Sequence, residues 1–547
     1  MKASDLLVSC LEGEGVTHIF GVPGEENLDL LESLRTSAIK FVVTRHEQSA
    51  GFMASTVGRL TGKTGVCLST VGPGATNFVT AVAYAYLGGM PMLFITGQKP
   101  VSLRRQGLFQ VVDTIEMMNP VTKFNRQIVH PSSIPFLVAE AFRQAEEERP
   151  GPVHLELPED VAGEEASGSP LVLQSPRLPV PSESSIRIGA EMIEKARTPL
   201  LLIGAGANRK EVRGSLVRFV ETTGIPFFNT QMGKGGIRED HPLFLGTAAL
   251  SSGDFIHCAI DRADLIINVG HDPTEKPPFI MGRDEERKVI HLSCTVSRIN
   301  EVYFPHHEIV GDVSAALDLL AGELSGRREW DFSYVMKIKK YLDEHIREGT
   351  DRDRYPLLPQ KIVSDVRKAM RDEDIVTLDN GMYKIWFARN YPALSPNSLL
   401  LDNALASMGA GLPSAIAAKI VSPGKRVLCV AGDGGFMMNS QEMETAIRLG
   451  LDLVVLVLRD DGYGMIEWKQ ESMGYPSFGL RFGNPDFVSY ARSYGAGGRK
   501  LKEGEDLARA IEDAFSEGGV QLIEVPVDYS ENRKVFDEEL ARKTCLL

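Results

Sequence analysis

Short apolar runs alternate with longer segments of helical spacing along most of the chain. Leu6 to Glu14 reads as a helix, Thr17 to Phe20 as a short strand, Asn27 to Leu34 as a helix and Ile39 to Val43 as a strand. Gln48 to Leu60 is predicted as a helix, with Val66 to Ser69 and Met92 to Thr96 as strands. Such alternation predicts βα units wrapped around parallel sheets. The stretch 170–185 carries Pro170, Pro176, Pro179 and Pro181 among serines. It reads as a linker, since each proline removes a donor and fixes φ. A second α/β pattern opens at Leu200-Leu201-Leu202-Ile203, runs through Leu265 to Val269 and ends near Leu320. A charged helical segment, Tyr334 to Arg347, and a polar loop, Gly349 to Tyr355, lead into a third pattern that ends near 528. The expectation is three α/β domains, over 1–170, 186–325 and 355–530. The first and third share a layout of apolar strands ending in Gly-rich turns, without a countable repeat.

Composition narrows the class. A chain of 547 residues, at about 150 residues per domain, holds three or four domains, each able to bury its own core. The 43% hydrophobic and 24% charged content is that of a soluble globular protein. A net charge of -14 without a Lys/Arg block argues against a nucleic-acid-binding face. No apolar run reaches the ~20 residues that span a bilayer. The N-terminus lacks a basic start followed by an apolar block, and Cys545 does not fit a prenylation box. A cytoplasmic protein without a membrane partner is expected. The six cysteines are scattered with no C-x-x-C pair, which favours reduced, buried thiols over a disulfide frame or a zinc site.

Chemistry concentrates in 426–466. Arg426 to Ala431 is predicted as a strand that breaks at Gly432-Asp433-Gly434-Gly435. Asn439 or Ser440 can cap a helix running to Leu449, with Gly450 ending it. Leu453 to Leu458 is the next strand, stopping at Arg459-Asp460-Asp461-Gly462. A strand–helix–strand crossover makes the two strands parallel and usually adjacent. Asp433 and Asp460, 27 positions apart, then share the carboxyl edge of one sheet, where open α/β folds bind ligands. Two carboxylates with a backbone carbonyl suit Mg²⁺, which takes about six oxygens at ~2.1 Å, some from a phosphate. The glycines and the helix start favour that phosphate.

Gly-Asp-Gly followed at this distance by an acidic residue at a strand end resembles the thiamine-diphosphate-binding motif. Over about 1–530 the chain resembles the acetolactate synthase large (catalytic) subunits, with features of the catabolic type. The resemblance implies three doubly wound parallel-sheet domains: pyrimidine-binding, central and diphosphate-binding. It implies Asp433, Asp460 and the Gly462 carbonyl as metal ligands, with Asp460 standing where most relatives carry Asn. Gly432, Gly434, Gly435, Tyr463, Gly464 and Met465 complete that turn region, and Gly381, Met382 and Tyr383 form the other diphosphate turn. Glu47, in Thr44-Arg45-His46-Glu47, matches the Glu that activates the aminopyrimidine; the cofactor itself carries the carbanion chemistry. Pro23 and Gly24, and Asn77 in the run Ser69 to Asn77, match cofactor-binding segments on either side of it. Met408 corresponds to the residue that props the bent cofactor, and the Ala406 carbonyl to the acceptor of the aminopyrimidine.

Phe109-Gln110 lies where the synthases have a Gln at the reacting centre, and no His-His pair of the decarboxylases stands near it. The implied reaction is decarboxylation of pyruvate to an enamine and its addition to a second 2-oxo acid, the acetolactate that also leads to acetoin or to branched-chain amino acids. Lys469 stands at the substrate-selecting position, where relatives have Trp or Gln, and reads as a cation for a substrate carboxylate. Glu159 replaces a Lys of the biosynthetic enzymes. The Gly204-Ala205-Gly206-Ala207 turn occurs in relatives with and without FAD. His271-Asp272-Pro273-Thr274-Glu275-Lys276 differs from the flavin-contacting loop, so a chain without FAD is expected, FAD remaining the alternative. A homodimer or homotetramer is implied, with Glu47 and Asp433 of different subunits at one cofactor. Competing readings are a 2-oxo-acid decarboxylase, a hydroxy-ketone lyase or ligase, a flavin-dependent pyruvate oxidase, and an inactive regulatory homologue.

Overall fold

A computed structural model describes the chain except residues 103–108, 172–177, 276–277, 280–286, 300–302, 327–328, 541–544 and 546–547. The apolar runs become eighteen strands in three six-stranded sheets, in which every strand pair is parallel. The first sheet contains β1 (His18–Gly21), β2 (Lys40–Val43), β3 (Gly65–Ser69), β4 (Met92–Gln98), β5 (Phe124–Gln127) and β6 (Pro152–Pro158), in the order β2-β1-β3-β4-β6-β5. The second contains β7 (Pro199–Ile203), β8 (Phe227–Asn229), β9 (Phe244–Thr247), β10 (Leu265–Val269), β11 (Lys288–Ser293) and β12 (His307–Val310), ordered β12-β11-β10-β7-β8-β9. The third contains β13 (Ile375–Leu378), β14 (Leu399–Leu400), β15 (Val427–Gly432), β16 (Leu453–Arg459), β17 (Gly497–Lys500) and β18 (Val520–Pro526), ordered β14-β13-β15-β16-β18-β17.

The first and third sheets share one strand order, the physical content of their similar sequence layout. Strands covered on both faces must be apolar throughout; β3 and β4 are buried along their whole length, and β15 up to its last residue. Leu6, Leu7 and Leu11 of helix Ala3–Gly13 and Val138 and Phe142 of helix Ile134–Glu146 close one face of the first sheet over Ile19, Leu68, Leu93 and Leu155. Helix Glu47–Thr61 starts where the His46 ring accepts the Gln48 amide at 3.0 Å, and it stops at Gly62 in the left-handed region.

The chain forms two compact units. One comprises Met1–Pro176, Ala404–Gly424 and Met437–Leu451; the other comprises Arg177–Asn403, Lys425–Phe436 and Asp452–Leu547. In the first, helix Gly411–Val421 lies against helix Glu47–Thr61, and the Thr56 hydroxyl donates to Ser414 at 3.0 Å. In the second, Arg389 donates to both oxygens of Asp254 at 2.6 and 3.0 Å, each side chain being almost wholly buried. Among the described residues no helix is long and apolar enough to cross a membrane.

Three expectations are corrected. The helix after the Gly-Asp-Gly-Gly turn begins at Asp433 itself: Asp433–Asn439 and Glu442–Arg448 are two helices, and neither Asn439 nor Ser440 is an N-cap. The turn glycines are helical, and Asn439 spends its side chain on tertiary bonds instead of a cap. The linker is shorter than 170–185, because Ser182 accepts the Ser185 amide and starts helix Glu183–Lys195; Pro176 lies outside the described residues. The cysteines are not all reduced: Cys258 is disulfide-bonded to Cys545, 287 residues away, while Cys10, Cys67, Cys294 and Cys429 remain thiols. A pairing at that separation depends on where the tail folds and leaves no local spacing signal.

The Arg389–Asp254 pair carries a stability prediction. Asp254→Asn leaves a buried guanidinium without its counter-charge, so chemical unfolding should show a loss of about 3–5 kcal/mol. An unshifted midpoint would contradict it.

Candidate cofactor and metal site

The crevice of an open α/β sheet lies where strand order reverses. In the first sheet that point is between β1 and β3. The turn after β1 holds Pro23 and Gly24, and the turn after β3 holds Thr70 to Asn77. The two turns touch: a Cβ on Gly24 would meet the Thr70 side chain at 2.2 Å. Glu47 is the first residue of its helix, at the end of the loop after β2. The Asn77 side-chain amide donates to Glu47 Oε2 at 2.9 Å, which fixes one carboxylate oxygen and leaves the other for a ligand. Gln110 stands in the left-handed region at φ 59°, and a Cβ on Gly72 would come 2.9 Å from its carbonyl oxygen. Thus Glu47, Asn77 and Gln110 converge on one turn. Phe109 beside Gln110 is 65% exposed. In the same unit the loop before helix Gly411–Val421 carries Ala406, left-handed at φ 57°, and half-buried Met408. Asn439 ties that loop down by donating to the Gly409 carbonyl at 2.7 Å while its oxygen accepts the Ser49 hydroxyl at 3.0 Å.

In the third sheet β13, β15 and β16 are neighbours, with Gly432 level with Leu458. Their turns, 379–383, 432–435 and 460–465, therefore stand side by side at the carboxyl edge. Asp433 is 1% exposed. Its Oδ1 accepts the Gly434 amide at 2.8 Å, and its Oδ2 accepts the Asp461 amide at 2.7 Å and the Asn484 side chain at 2.8 Å. Burial raises the pKa of Asp433 despite these bonds. Asp460 is pushed up to about 8, first by burial and then by the charge of Asp433. Two buried acids on adjacent strand ends, one feeling the charge of the other, form an oxygen donor set that a divalent cation would relieve. Asp461 turns away, to Arg459 at 2.8 Å and to Asn484 at 2.8 Å, at φ 54°.

A Cβ at 464 would come 2.8 Å from Asp460 Oδ2, so a larger residue there would displace that carboxylate. Gly462 pairs with Arg481, and the Tyr463 and Phe482 rings lie 4.9 Å apart. Gly381 starts helix Met382–Asn390, with Met382 and Tyr383 buried beneath it. Helix Gly464–Ser472 carries Met465 in its first turn and Lys469 one turn later. The Lys469 ammonium lies 4.3 Å from the centroid of the Trp468 ring and is exposed. Asn484 escaped the sequence reading, as did the contact of Arg459 with Asp461. Asn484 lies 51 residues beyond the aspartate it holds, in a loop without a motif.

Two further places bear on ligands. The second sheet has the strand order of a dinucleotide-binding fold, and Gly204-Ala205-Gly206-Ala207 follows its central strand β7. There the Ala205 amide donates to Glu275 Oε1 at 3.1 Å and the Met232 amide to Oε2 at 3.4 Å. Glu275 is 2% exposed, and burial pushes its pKa up to about 7. Lys276, in the same run, lies outside the described residues. Separately, ligand-type atoms of His345, Glu348 and Glu539 lie within 4.8 Å of one another. Arg389 can only donate, and it lies 3.1 Å from Nδ1 of His345. The ring proton therefore sits on Nε2, facing Glu539, and that nitrogen has no lone pair for a cation.

Residues 1–117 match the family model described as the N-terminal TPP binding domain of thiamine pyrophosphate enzymes. Residues 186–320 match the central domain and 379–525 the C-terminal TPP binding domain of the same enzymes. The chain is 31% identical to the acetolactate synthase of Bacillus subtilis (strain 168), over 99% of this chain and 96% of that one. It is 32% identical to the catabolic acetolactate synthase of Raoultella terrigena, over 97% and 95% of the two chains. With the acetolactate synthase isozyme 1 large subunit of Escherichia coli (strain K12) it shares 32% identity, over 96% and 94%.

The coupling of the two aspartates is open to direct test. Replacing Asp433 by Asn removes a negative neighbour, so Asp460 in metal-free protein should titrate below its value of about 8. Carbon-13 NMR of aspartate-labelled protein reads this; an unmoved Asp460 would mean that the two groups do not share a site.

Proposed function

The chain belongs to the thiamine pyrophosphate enzyme family and is an acetolactate-synthase-like enzyme dependent on that cofactor; from this we propose that it decarboxylates pyruvate and joins the two-carbon unit to a second 2-oxo acid, with Mg²⁺ as the metal. The observation that carries the metal assignment is the Asp433–Asp460 pair, two acids at raised pKa on adjacent strand ends. This donor set fits a hard divalent cation carrying a diphosphate. Asp433, Asp460 and the Gly462 carbonyl would hold the ion, and the turns at 381–383, 432–435 and 463–465 would surround the diphosphate. When bound, thiamine diphosphate supplies the carbanion that attacks the 2-oxo group.

The chain's own residues orient and exchange protons. Asn77 holds Glu47 Oε2, which leaves Oε1 as the atom that would exchange a proton with a bound aminopyrimidine. Pro23 and Gly24 would bind beside that ring, and the Ala406 carbonyl and Met408 would help to hold it. Gln110 orients the second 2-oxo acid at the reacting centre, against the apolar face of Phe109. Lys469, whose ammonium rests over the Trp468 ring, would receive a substrate carboxylate.

Absence of FAD is also part of the proposal. Glu275 takes the Ala205 amide, a donor that a dinucleotide diphosphate would need at this turn, together with the Met232 amide after β8. The domain boundaries 1–170, 186–325 and 355–530, a homodimer or homotetramer, and a cytoplasmic location complete the reading. Several relatives are called large subunits.

Incubation with pyruvate, thiamine diphosphate and Mg²⁺ should release carbon dioxide and form acetolactate, which acid converts to acetoin; a chelator should stop it. Free acetaldehyde would indicate a decarboxylase, oxygen uptake an oxidase, and no product an inactive homologue. Glu47→Gln should lower kcat by about 10²-fold or more. Lys469→Ala should raise KM for the acceptor about tenfold, the worth of one charge-assisted hydrogen bond; an unchanged KM would remove Lys469 from the substrate site.

A further inference from the structure

Glu442 is completely buried and opens helix Glu442–Arg448. Nothing in the proposed chemistry uses it, yet a buried carboxylate is among the costliest groups a fold can keep. Its hydrogen bonds show what holds it. Oε1 accepts the Arg45 amide at 3.0 Å, and Oε2 accepts the Thr445 hydroxyl at 2.6 Å. The Ser49 hydroxyl and the His46 amide lie close enough to favour its charged form, against burial, which raises its pKa. The Arg45 and His46 amides come immediately before Glu47. They sit past the end of β2 and ahead of the helix ladder, so neither secondary element supplies them with an acceptor.

The surrounding contacts grip the same turn. Arg448 donates to the Val43 carbonyl at 2.5 Å, and Asn439 accepts the Ser49 hydroxyl at 3.0 Å. The chain is thus pinned before and after Glu47, all within one compact unit. The Glu47 side chain itself has Asn77 as its hydrogen-bond partner, a contact that sets one oxygen but not the backbone beneath it.

We infer that Glu442 is a positioning residue, whose carboxylate anchors the Arg45 amide and thereby fixes where the Glu47 carboxylate stands. The inference rests on the proposed role of Glu47. The negative charge is needed because a carboxylate only accepts. Gln keeps one acceptor oxygen but turns the two donors of its NH₂ to the other side, so it can serve the Arg45 amide only if the Thr445 hydroxyl reverses from donor to acceptor. Misplacing a reacting group by about 1 Å can cost on the order of a hundredfold in rate, so a loosened turn would be read in kcat.

The test uses full-length Glu442→Gln with thermal melting as a control for folding, and Glu442→Asp as a second variant that keeps the charge. Two readouts are taken. Amide hydrogen exchange should quicken in peptides covering 44–49 and stay unchanged in the second compact unit. Steady-state kinetics should show kcat down about ten- to a hundredfold, with KM for pyruvate and half-saturation by thiamine diphosphate within about twofold. The double variant Glu47→Gln/Glu442→Gln should be no slower than Glu47→Gln alone, because Glu442 acts only through Glu47. Glu442→Asp should recover part of the loss; should Glu442→Gln fail to fold, the same exchange and kcat–KM split are read from Glu442→Asp. Wild-type exchange at 44–49, or fully additive losses in the double variant, would overturn the inference. An inactive wild-type protein would instead overturn the proposed function, while hydrogen exchange would still decide the anchor.

Discussion

Two acidic side chains held close together at the end of a parallel sheet set the terms for everything else in this molecule. Each strand that delivers one is buried along nearly its whole length, so neither acid can swing away by moving its strand. Asp433 is further fixed by two backbone amides and by Asn484. Those bonds stabilise its charged form, yet burial still outweighs them, and Asp460 suffers the field of its neighbour as well. Proteins store local destabilisation of this kind at functional sites, where a ligand relieves it. Asp461, next in sequence, escapes the conflict because Arg459 and Asn484 take its charge.

The same strand order serves two jobs. In the first sheet the reversal between β1 and β3 gathers an acid, an amide and a left-handed glutamine around one turn. In the third sheet the equivalent edge gathers glycines and aspartates. The first edge presents a carboxylate and side-chain amides, the third a pair of carboxylates among glycines.

How much of this was legible follows from the distance over which each feature is encoded. The Asp433–Asp460 pairing was readable because both residues belong to a single strand–helix–strand crossover, whose geometry is nearly forced. Glu47 was readable only with its flanking segments, since a first-turn glutamate is ordinary by itself. The helix starting at Asp433 was misread because Gly-Asp-Gly-Gly has the composition of a turn, and burial overrode that local preference. Asn484, Glu442 and the Cys258–Cys545 bond were invisible for a common reason. Each acts on a partner tens to hundreds of residues away and carries no periodic or motif signature. Lys469 was legible as an unusual cation, but its seat over Trp468 depends on tertiary packing around the Trp468 ring.

The Glu275 carboxylate has a bearing on how the central sheet responds to its surroundings. An acid tethered to the same chain competes with any dissolved phosphate at an effective concentration of roughly millimolar or more. The Ala205 amide of the glycine turn already has an acceptor within the chain. On the proposed reading without FAD, the melting temperature would carry no mass-action dependence on dinucleotide supply, and the enzyme's abundance in a cell would be uncoupled from a second organic cofactor.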